Sequence, residues 1–370
     1  MRIGFDAKRI YHNTTGLGNY GRDLVRVLAD FNPMNRYFLY NTRAKKVDRL
    51  VNNEALLEKL PRTAFWRFFS SIWRQGPIVN QLIKNEVHVF HGLSGELPSG
   101  IEKTGIKSVV TIHDLIFIRY PKLYSFFDQK IHVLKVKRAV KRADRIIAIS
   151  EQTKRDIVDF LQVDEKNIDV IYQGCHQVFK EKATQKFKSE VLLKYHLPSE
   201  FILNVGTINE RKNVLSLLKA IKDLNISLVI VGGKTSYYQE IEKYIKQHHL
   251  QSRIFVIQGL TLKELSALYQ QASLFVYPSV FEGFGIPIIE ALYSKTPVIT
   301  SLGGCFPEAG GPNSIYVEVN NIKELTIQII AVLSNHELRK TMIEKGYEFV
   351  HKFNDQAMAK SYMNVYNSLF

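Results

Sequence analysis

Two glutamates with seven residues between them, Glu282 and Glu290, bracket a segment that contains two glycines, E-G-F-G-I-P-I-I-E. The apolar run 274–276 before it predicts a buried parallel strand, and residues 287–293 predict a helix. Glycines allow close backbone approach, the N–H groups of a helix start favour an anion, and carboxylates accept hydrogen bonds from hydroxyls. This combination indicates a nucleotide-sugar site. The alternative is an ordinary strand–loop–helix joint with two solvated glutamates.

A second polar segment, residues 206–213, reads G-T-I-N-E-R-K-N and lies between a strand pattern and a helix pattern. With Asn213 as the N-cap, Arg211 and Lys212 would stand beside a helix N-terminus, which already favours negative charge. A diphosphate fits this arrangement, although a surface turn with solvated basic residues would have the same sequence. The segment is not a Walker loop, because the G-K-[ST] ending is missing.

His113 follows the strand pattern of residues 107–112 and precedes Asp114, so it is either a structural hydrogen-bonding residue or a catalytic group. The sequence has no D-x-D pair, so we do not expect a metal held by carboxylates on a diphosphate. Without a metal, the charge of a leaving group must be met by Arg, Lys and backbone N–H groups. Residues 206–213 and 283–287 would supply them.

Strand and helix patterns alternate along the chain and predict two α/β domains with parallel sheets. We place the domains at residues 1–172 and 201–354, with a Lys-rich linker at 173–200. Open parallel sheets bind ligands beyond the carboxyl ends of their strands. Two such domains facing each other would form a central cleft there.

The 370 residues carry a net charge of +15, of which residues 1–180 contribute +12. A basic half indicates anionic partners, but no nucleic-acid-binding motif is present, so nucleic acid is not an expected partner. Two cysteines without metal or redox spacing fit a reducing compartment. We see neither a signal peptide nor an apolar run long enough to span a bilayer, and therefore expect a cytoplasmic protein.

Residues 62–74 interleave five aromatic residues with three arginines. They could form an amphipathic helix on an anionic membrane, placing the protein on the inner face of the cell membrane. The alternative is a helix whose aromatic side packs into the first domain. Residues 135–145 hold six Lys or Arg residues and predict a solvated helix face.

Together these motifs resemble those of glycosyltransferase family 4, a family of retaining glycosyltransferases with the GT-B fold. Glu282 and Glu290 lie in a segment similar to the E-x7-E signature of that family. Other segments resemble its landmarks in the expected order along nearly the whole chain: I-G-F-D-A-K-R-I, T-G-L-G-N-Y-G-R-D-L, T-I-H-D-L, I-S-E-Q-T-K-R-D-I, V-I-Y-Q-G, L-N-V-G-T-I-N-E-R-K-N-V and P-V-I-T-S-x-x-x-x-x-P-E-A-G-G.

The resemblance implies two Rossmann-like doubly wound domains, with residues 1–172 binding the acceptor and residues 201–354 the nucleotide-sugar donor. The last helix, residues 355–370, would cross back onto the first domain. Gly16 and Gly18 would let the first domain close over the phosphates of the donor.

In the second domain, the resemblance implies that Glu290 holds the ribose hydroxyls and that Glu282 contacts hydroxyls of the donor sugar. The backbone N–H groups of Phe284, Gly285 and Ile286 would meet the sugar or its phosphates. Glu308 lies in the segment P-E-A-G-G, with a structural or nucleotide-side role.

The resemblance also implies that Arg211 and Lys212 bind the diphosphate and stabilise it as it leaves, while His113 contacts the sugar near the reacting centre. Many family members have a basic residue directly after the strand-end glycine. Here Gly206 is followed by Thr207, which leaves Arg211 as the substitute cation.

The implied activity is retaining transfer of a hexose from a nucleotide-diphosphate sugar to a glycan or lipid-linked saccharide, in surface polysaccharide biosynthesis, without metal or cofactor. I-G-F-D-A-K-R and G-T-x-x-x-R-K-N look most like mannosyl- and rhamnosyl-transferring members, so the expected donor is GDP-mannose. The alternatives are a sugar-nucleotide epimerase of the same fold and a non-catalytic two-domain sugar-binding protein.

Overall fold

The computed structural model describes residues 1–47, 50 and 53–370. It divides into two compact units, the first comprising Met1–Gln173 with Phe353–Phe370 and the second Gly174–Lys352. Each unit is built on one parallel β-sheet with helical connections, which confirms the predicted class of two parallel α/β domains. In the described ranges, no helix is long and apolar enough to cross a membrane.

The sheet of the first unit has the strand order β3-β2-β1-β4-β5-β6-β7, and every described pair is parallel. The order changes direction between β1 and β4, which makes this the topological switch point of the unit. The strands are β1 Arg2–Asp6, β2 Arg36–Tyr40, β3 Leu56–Lys59, β4 Val89–Gly92, β5 Lys107–Ile112, β6 Arg145–Ala148 and β7 Ile168–Val170.

The helices of the first unit bury apolar side chains against this sheet. In α2, for example, Leu24, Val25 and Leu28 are fully buried at helical spacing. The helices before the second unit are α1 Lys8–His12, α2 Gly16–Phe31, α3 Ala64–Phe68, α4 Ser70–Trp73, α5 Ile78–Lys84, α6 Ile116–Arg119, α7 Phe126–Arg142 and α8 Glu151–Leu161.

The sheet of the second unit has the order β10-β9-β8-β11-β12-β13 and switches direction between β8 and β11. Its strands are β8 Phe201–Val205, β9 Ser227–Val231, β10 Ile254–Ile257, β11 Leu274–Tyr277, β12 Val298–Ser301 and β13 Ile315–Val317. Its helices are α9 Gln185–Lys194, α10 Val214–Ile221, α11 Tyr238–Gln247, α12 Leu262–Tyr269, α13 Ile286–Tyr293, α14 Phe306–Gly310, α15 Ile322–Ser334 and α16 His336–Val350.

The segment predicted as a linker, residues 173–200, folds largely onto the second unit. It contains a 3-10 turn at Gln177–Phe179 and helix α9. Phe179 and Val191 of this segment are buried and attach it to the second unit. The lysine-rich composition of the segment did not indicate these apolar contacts. Only a few apolar side chains at the right spacing are needed to dock a short helix.

The carboxyl-terminal helix, α17 Asp355–Asn367, belongs to the first unit and packs against α2. Asn354 caps it by accepting a hydrogen bond from the N–H of Ala357. Inside the unit, the Tyr362 hydroxyl lies 2.7 Å from the hydroxyl of Tyr20. A buried polar contact therefore joins the end of the chain to its beginning.

That contact continues into a buried chain of hydrogen bonds that ends on His91 in β4. The Tyr20 hydroxyl lies 2.9 Å from Thr111 Oγ1, which lies 2.8 Å from His91 Nε2. On the other side of the ring, the Tyr366 hydroxyl of α17 lies 2.7 Å from His91 Nδ1. Burial lowers the pKa of His91 to about 3, so the ring is neutral at pH 7 and both of its nitrogens have partners.

We predict that Tyr366→Phe lowers the free energy of unfolding by about 1–3 kcal/mol, because it removes the partner of a buried histidine nitrogen. The measurement is urea denaturation followed by circular dichroism. Tyr238→Phe removes a hydroxyl from a half-buried ring of the second unit and should change the value by less than about 0.5 kcal/mol. Equal effects of the two substitutions would contradict the prediction.

Candidate active site

The two glycine-containing loops predicted to bind a donor meet in the second unit at its topological switch point. Residues 206–213 leave the carboxyl end of β8 and residues 277–290 leave that of β11, and these two strands are neighbours. We call the space between these strand ends the β8/β11 crevice. The N–H of Val280 donates to the carbonyl of Arg211 over 2.8 Å, which fixes one loop on the other.

Glu282 joins the two loops through its carboxylate. Its Oε1 atom lies 2.6 Å from Nη1 of Arg211 and 2.6 Å from Nζ of Lys212. Ser279 Oγ donates to the same oxygen over 2.5 Å, and Arg211 Nη1 also donates to the carbonyl of Phe281 over 2.6 Å. One carboxylate therefore positions both of the predicted diphosphate-binding cations.

Lys212 is positioned by three further contacts. Its Nζ donates to the Tyr277 hydroxyl and lies 4.8 Å from the centre of that ring. Its backbone N–H donates to Asn209 Oδ1 over 3.1 Å. Gly206 has a φ of +148°, and a Cβ there would lie 3.2 Å from Lys212 Cε. Gly206 is thus required by its backbone conformation and by the close approach of the lysine side chain.

The charges of this cluster depend on one another. Burial alone would raise the pKa of Glu282, but Lys212 and Arg211 lower it to about 2, so the carboxylate is ionised at pH 7. Burial and the charge of Arg211 lower the pKa of Lys212, and Glu282 opposes that shift. With both cations protonated, the three side chains carry one net positive charge, which suits an anionic ligand.

Glu290 has a different environment from Glu282. It lies in α13, and its Oε2 accepts a hydrogen bond from the Tyr269 hydroxyl over 3.0 Å. Tyr269 is fully buried at the end of α12. Glu282 is therefore paired with two cations, whereas Glu290 accepts a hydrogen bond from a tyrosine hydroxyl. Separate roles for the two acids remain a prediction.

The start of α13 depends on Gly285, which stands at the N-cap with a left-handed φ of +114°. A Cβ at this position would lie 3.2 Å from Ile288 Cδ1. Ile286 is the first helical residue, so Pro287 occupies the second position rather than the predicted first. The backbone N–H groups of Phe284, Gly285 and Ile286 lie at the positive end of this helix.

Asn213 lies at the N-cap position of α10, as predicted, but its side chain does not cap the helix. It has a left-handed φ of +54° and accepts a hydrogen bond from Ser216 Oγ over 2.8 Å. The capped turn is the preceding 3-10 helix, Glu210–Lys212, with Asn209 as the capping residue. Arg211 and Lys212 therefore lie in a tight turn before the helix.

His113 follows β5 in the first unit and has partners on both ring nitrogens. Its Nε2 donates to the carbonyl of Leu93 over 2.8 Å, and the Gln173 amide donates to its Nδ1 over 3.2 Å. The ring of Tyr20 packs edge-on at 4.6 Å between centroids. Burial lowers the pKa of His113 to about 4, so the ring is neutral at pH 7, and its contact with the donor sugar remains a prediction.

The two glycines of the first unit have different environments. A Cβ on Gly18 would lie 1.9 Å from the carbonyl oxygen of Asn13, so the packing of the first turn of α2 requires glycine there. A Cβ on Gly16 would meet nothing within 4 Å. Asn13 Oδ1 accepts hydrogen bonds from the N–H groups of Thr15 and Gly18 over 2.8 Å and 3.2 Å. Gly16 is thus the position that leaves open space at this helix start.

Within residues 1–47, 50 and 53–370, no group of three or more His, Cys, Asp or Glu side chains is arranged to hold a metal ion. Metal-independent transfer remains a prediction.

Two family models match the chain one after the other. The model described as "Glycosyltransferase Family 4" matches residues 14–176, and the model described as "Glycosyl transferases group 1" matches residues 188–349. The chain belongs to glycosyltransferase family 4. The family resemblance that the sequence motifs predict is therefore confirmed, and the protein is a glycosyltransferase enzyme.

Among its relatives, the O-antigen chain mannosyltransferase RfbU of Salmonella typhimurium is 32% identical over 58% of this chain and 57% of its own length. The chain thus spans little more than half of that relative. The O-antigen chain mannosyltransferase B of Escherichia coli is 22% identical over 100% of both chains.

Solved structures show the same fold. Sucrose-phosphate synthase from Thermosynechococcus elongatus superposes with a TM-score of 0.81 at 20% identity, covering 100% of this chain and 99% of that one. A glycosyltransferase from Rickettsia africae gives 0.78 at 19% identity, covering 100% and 98%. The expected GT-B fold of this family 4 glycosyltransferase is confirmed.

Several residues of this glycosyltransferase that contact the predicted site were not identified from the sequence. Ser279 lies three residues before Glu282, a spacing at which a hydroxyl can reach a carboxylate in a turn, and this signal could have found it. Tyr269 and Tyr20 look like ordinary core aromatics in helix patterns. Gln173 lies far from His113 in sequence. Only the packed fold brings the last three to their partners.

We predict that Glu282→Gln lowers the free energy of unfolding at pH 7 by up to about 3 kcal/mol, because two half-buried cations lose their shared anion. The pKa of Glu282 is depressed from 4.5 to about 2 in the folded state, so its contribution is complete above pH 4.5 and is lost as the pH falls through 2. Urea denaturation between pH 2.5 and 7 measures the free energy of unfolding, which should fall less steeply with decreasing pH in the variant than in the wild-type protein.

The control for that prediction is Glu344→Gln, which removes the same charge from an exposed position on α16 that has no ion pair among the described residues. It should follow the pH profile of the wild-type protein. If Glu282→Gln does so as well, the ion cluster does not stabilise the fold.

Proposed function

We propose that this chain transfers a mannosyl residue from GDP-mannose to a glycan or lipid-linked saccharide of a bacterial surface polysaccharide, with retention of anomeric configuration and without a metal. The observation that carries the proposal is the Glu282–Arg211–Lys212 cluster in the β8/β11 crevice. The Salmonella and Escherichia coli relatives, both named as O-antigen chain mannosyltransferases, support the choice of sugar and product.

The donor would bind along this crevice with each polar group assigned by its environment. Arg211 and Lys212 face the diphosphate, as the net positive charge of their cluster favours. Glu290, whose carboxylate accepts a hydrogen bond from the Tyr269 hydroxyl, would also accept hydrogen bonds from the ribose. Glu282 remains ionised and meets hydroxyls of the transferred sugar. The N–H groups at residues 284–286 add the positive end of α13.

The mechanism we favour is front-face attack. The bond between the sugar C1 and the diphosphate oxygen breaks, the acceptor hydroxyl attacks the same face of the sugar, and its proton passes to the leaving diphosphate. Arg211 and Lys212 stabilise the charge that develops on that diphosphate. Glu282, with a pKa of about 2, is a weak proton acceptor. His113 is engaged at both nitrogens, so neither residue is required as a base.

A thermal-shift panel of GDP-, UDP-, dTDP- and ADP-sugars tests donor binding, because a ligand that binds the folded state raises the unfolding midpoint. GDP-mannose should give the largest rise. No response to any sugar nucleotide would contradict the proposal. Turnover of a sugar nucleotide to an isomer without acceptor would indicate the epimerase, and binding without any turnover would indicate the non-catalytic sugar-binding protein.

We predict that Lys212→Ala lowers kcat for mannosyl transfer by about 100-fold or more, because a cation that stabilises the leaving group is removed. Lys219→Ala removes an exposed lysine from α10 and should leave kcat unchanged. The rate at which radiolabelled product forms on a saccharide acceptor gives kcat. Proton NMR of the product should show the anomer of the donor, and the opposite anomer would refute retention.

We also propose that the first unit binds an anionic membrane surface. Residues 62–74 form two short helices, α3 and α4, and divide their aromatic residues between the two predicted environments. Trp73 is buried in the core, whereas Phe68 is 83% exposed and Phe65 60% exposed. Three of the five aromatic rings of the predicted membrane segment are therefore exposed to solvent, one is half-buried and one belongs to the core.

Helix α7 carries a second set of exposed apolar side chains. Phe127 is 76% exposed, and Phe126, Ile131 and Leu134 are exposed beside it. Glu96 links the two sets, because it pairs with Arg74 at the end of α4 and with Lys135 of α7. Exposed aromatic and aliphatic side chains flanked by cations favour an interface with anionic lipid.

We predict that the protein floats with anionic liposomes at low salt and that Phe68→Ser/Phe127→Ser reduces the floating fraction at least about three-fold, because insertion of the rings contributes to binding. Met34→Ser, at an isolated position that is 94% exposed, is the control and should float like the wild-type protein. Absence of wild-type protein from the liposome fraction would refute membrane binding.

A further inference from the structure

The first unit has a switch point of its own, between the carboxyl ends of β1 and β4. We call this space the β1/β4 crevice. Asp6 ends β1 and is followed by Ala7, Lys8 and Arg9, while Glu96 lies in the loop after β4. Switch points of open parallel sheets are preferred ligand sites. The donor roles proposed above assign no cation to this crevice.

The two carboxylates of the β1/β4 crevice are neutralised within the protein. Arg74 pairs with Asp6 through Nη1 and with Glu96 through Nη2. Lys135 Nζ lies 3.1 Å from the other oxygen of Glu96. Asp6 is only 5% exposed, so this ion network closes the floor of the crevice.

Lys8 and Arg9 lie beside this network without such partners. Within the part of the chain that the structure describes, neither side chain forms an ion pair. Burial lowers the pKa of Lys8, and the charges of Arg74 and Arg9 lower it further, against the opposing effect of Glu96. Burial is the main cause of the low pKa of His113, and the charge of Arg9 lowers it further.

The local charge balance follows from these contacts. Four cations, Lys8, Arg9, Arg74 and Lys135, surround two carboxylates, so the crevice carries two net positive charges when all are ionised. A half-buried lysine that is repelled by its neighbours costs free energy unless an anion joins it. A neutral saccharide would leave that cost in place, whereas a phosphate would remove it.

We propose that the β1/β4 crevice binds a phosphate or diphosphate group of the acceptor, with Lys8 and Arg9 as the cations that contact it. The inference rests on the proposed glycosyltransfer and narrows its acceptor to a phosphorylated compound, such as a prenyl-diphosphate-linked saccharide. The diphosphate of the donor already has two cations, Arg211 and Lys212, in the second unit.

The test is isothermal titration calorimetry of the full chain with GDP at saturation, so that the donor site is filled. The probes are geranyl diphosphate and inorganic pyrophosphate, which separate a lipid-linked from a free source of the same group. Both should bind the wild-type protein. Lys8→Ala/Arg9→Ala should weaken binding of both at least about tenfold, because charge-assisted hydrogen bonds are lost. Tighter binding of geranyl diphosphate would identify the lipid-linked source.

The matched control is Lys84→Ala/Lys103→Ala, which removes two exposed cations near the opposite, amino-terminal edge of the same sheet. It should bind both probes like the wild-type protein. Absence of probe binding with GDP present, or equal losses in the two double variants, would overturn the proposal. Weaker GDP binding in Lys8→Ala/Arg9→Ala would assign these cations to the donor and overturn it as well.

Two further titrations distinguish failure of the proposed glycosyltransfer from failure of the proposed anion site. The probes are also titrated without nucleotide, and binding of sugar nucleotides to the wild-type protein is measured alone. If the protein binds the probes through Lys8 and Arg9 but binds no sugar nucleotide, the proposed glycosyltransfer is refuted. The proposed anion site in the β1/β4 crevice would still be supported.

Discussion

The carboxylate of Glu282 is the contact on which the β8/β11 crevice depends. It lies between the guanidinium of Arg211 and the ammonium of Lys212, and it receives the hydroxyl of Ser279 at the same oxygen. Two cations that both lie 2.6 Å from one oxygen repel each other, and in a partly buried site the negative charge of that oxygen offsets their repulsion. The charges of Arg211 and Lys212 lower the pKa of Glu282. The ionisation of Glu282 and the positions of the two cations therefore depend on each other.

The backbone makes this cluster possible. Parallel strands β8 and β11 end side by side, and the hydrogen bond from Val280 to Arg211 joins the loops that follow them. Gly206 leaves space for the lysine side chain, and Gly285 starts α13, in which Glu290 accepts a hydrogen bond from Tyr269. The first unit also has a charged cluster at its own switch point, where Arg74 pairs with the carboxylates of Asp6 and Glu96. We propose that Lys8 and Arg9 beside it bind an external anion.

Much of this could be predicted from the sequence, because strand and helix periodicity places polar loops at the carboxyl ends of strands. The loops at 206–213 and 277–290 were found in this way, and their motifs identified the family. Side-chain partners from distant elements could not be predicted, since no local pattern encodes them. Tyr269 beside Glu290 and Gln173 beside His113 are examples. The division of 62–74 into buried and exposed aromatics likewise depends on the surface it packs against.

The most direct test of the account is the ratio of affinities for GDP and GMP in the wild-type protein and in Arg211→Gln, measured by isothermal titration calorimetry. The two ligands differ by the β-phosphate alone. If the cations held by Glu282 contact the diphosphate, the substitution should lower the preference for GDP about tenfold, or about 1.4 kcal/mol, and change GMP affinity little. An unchanged ratio would show that the cluster stabilises the fold but does not bind the diphosphate.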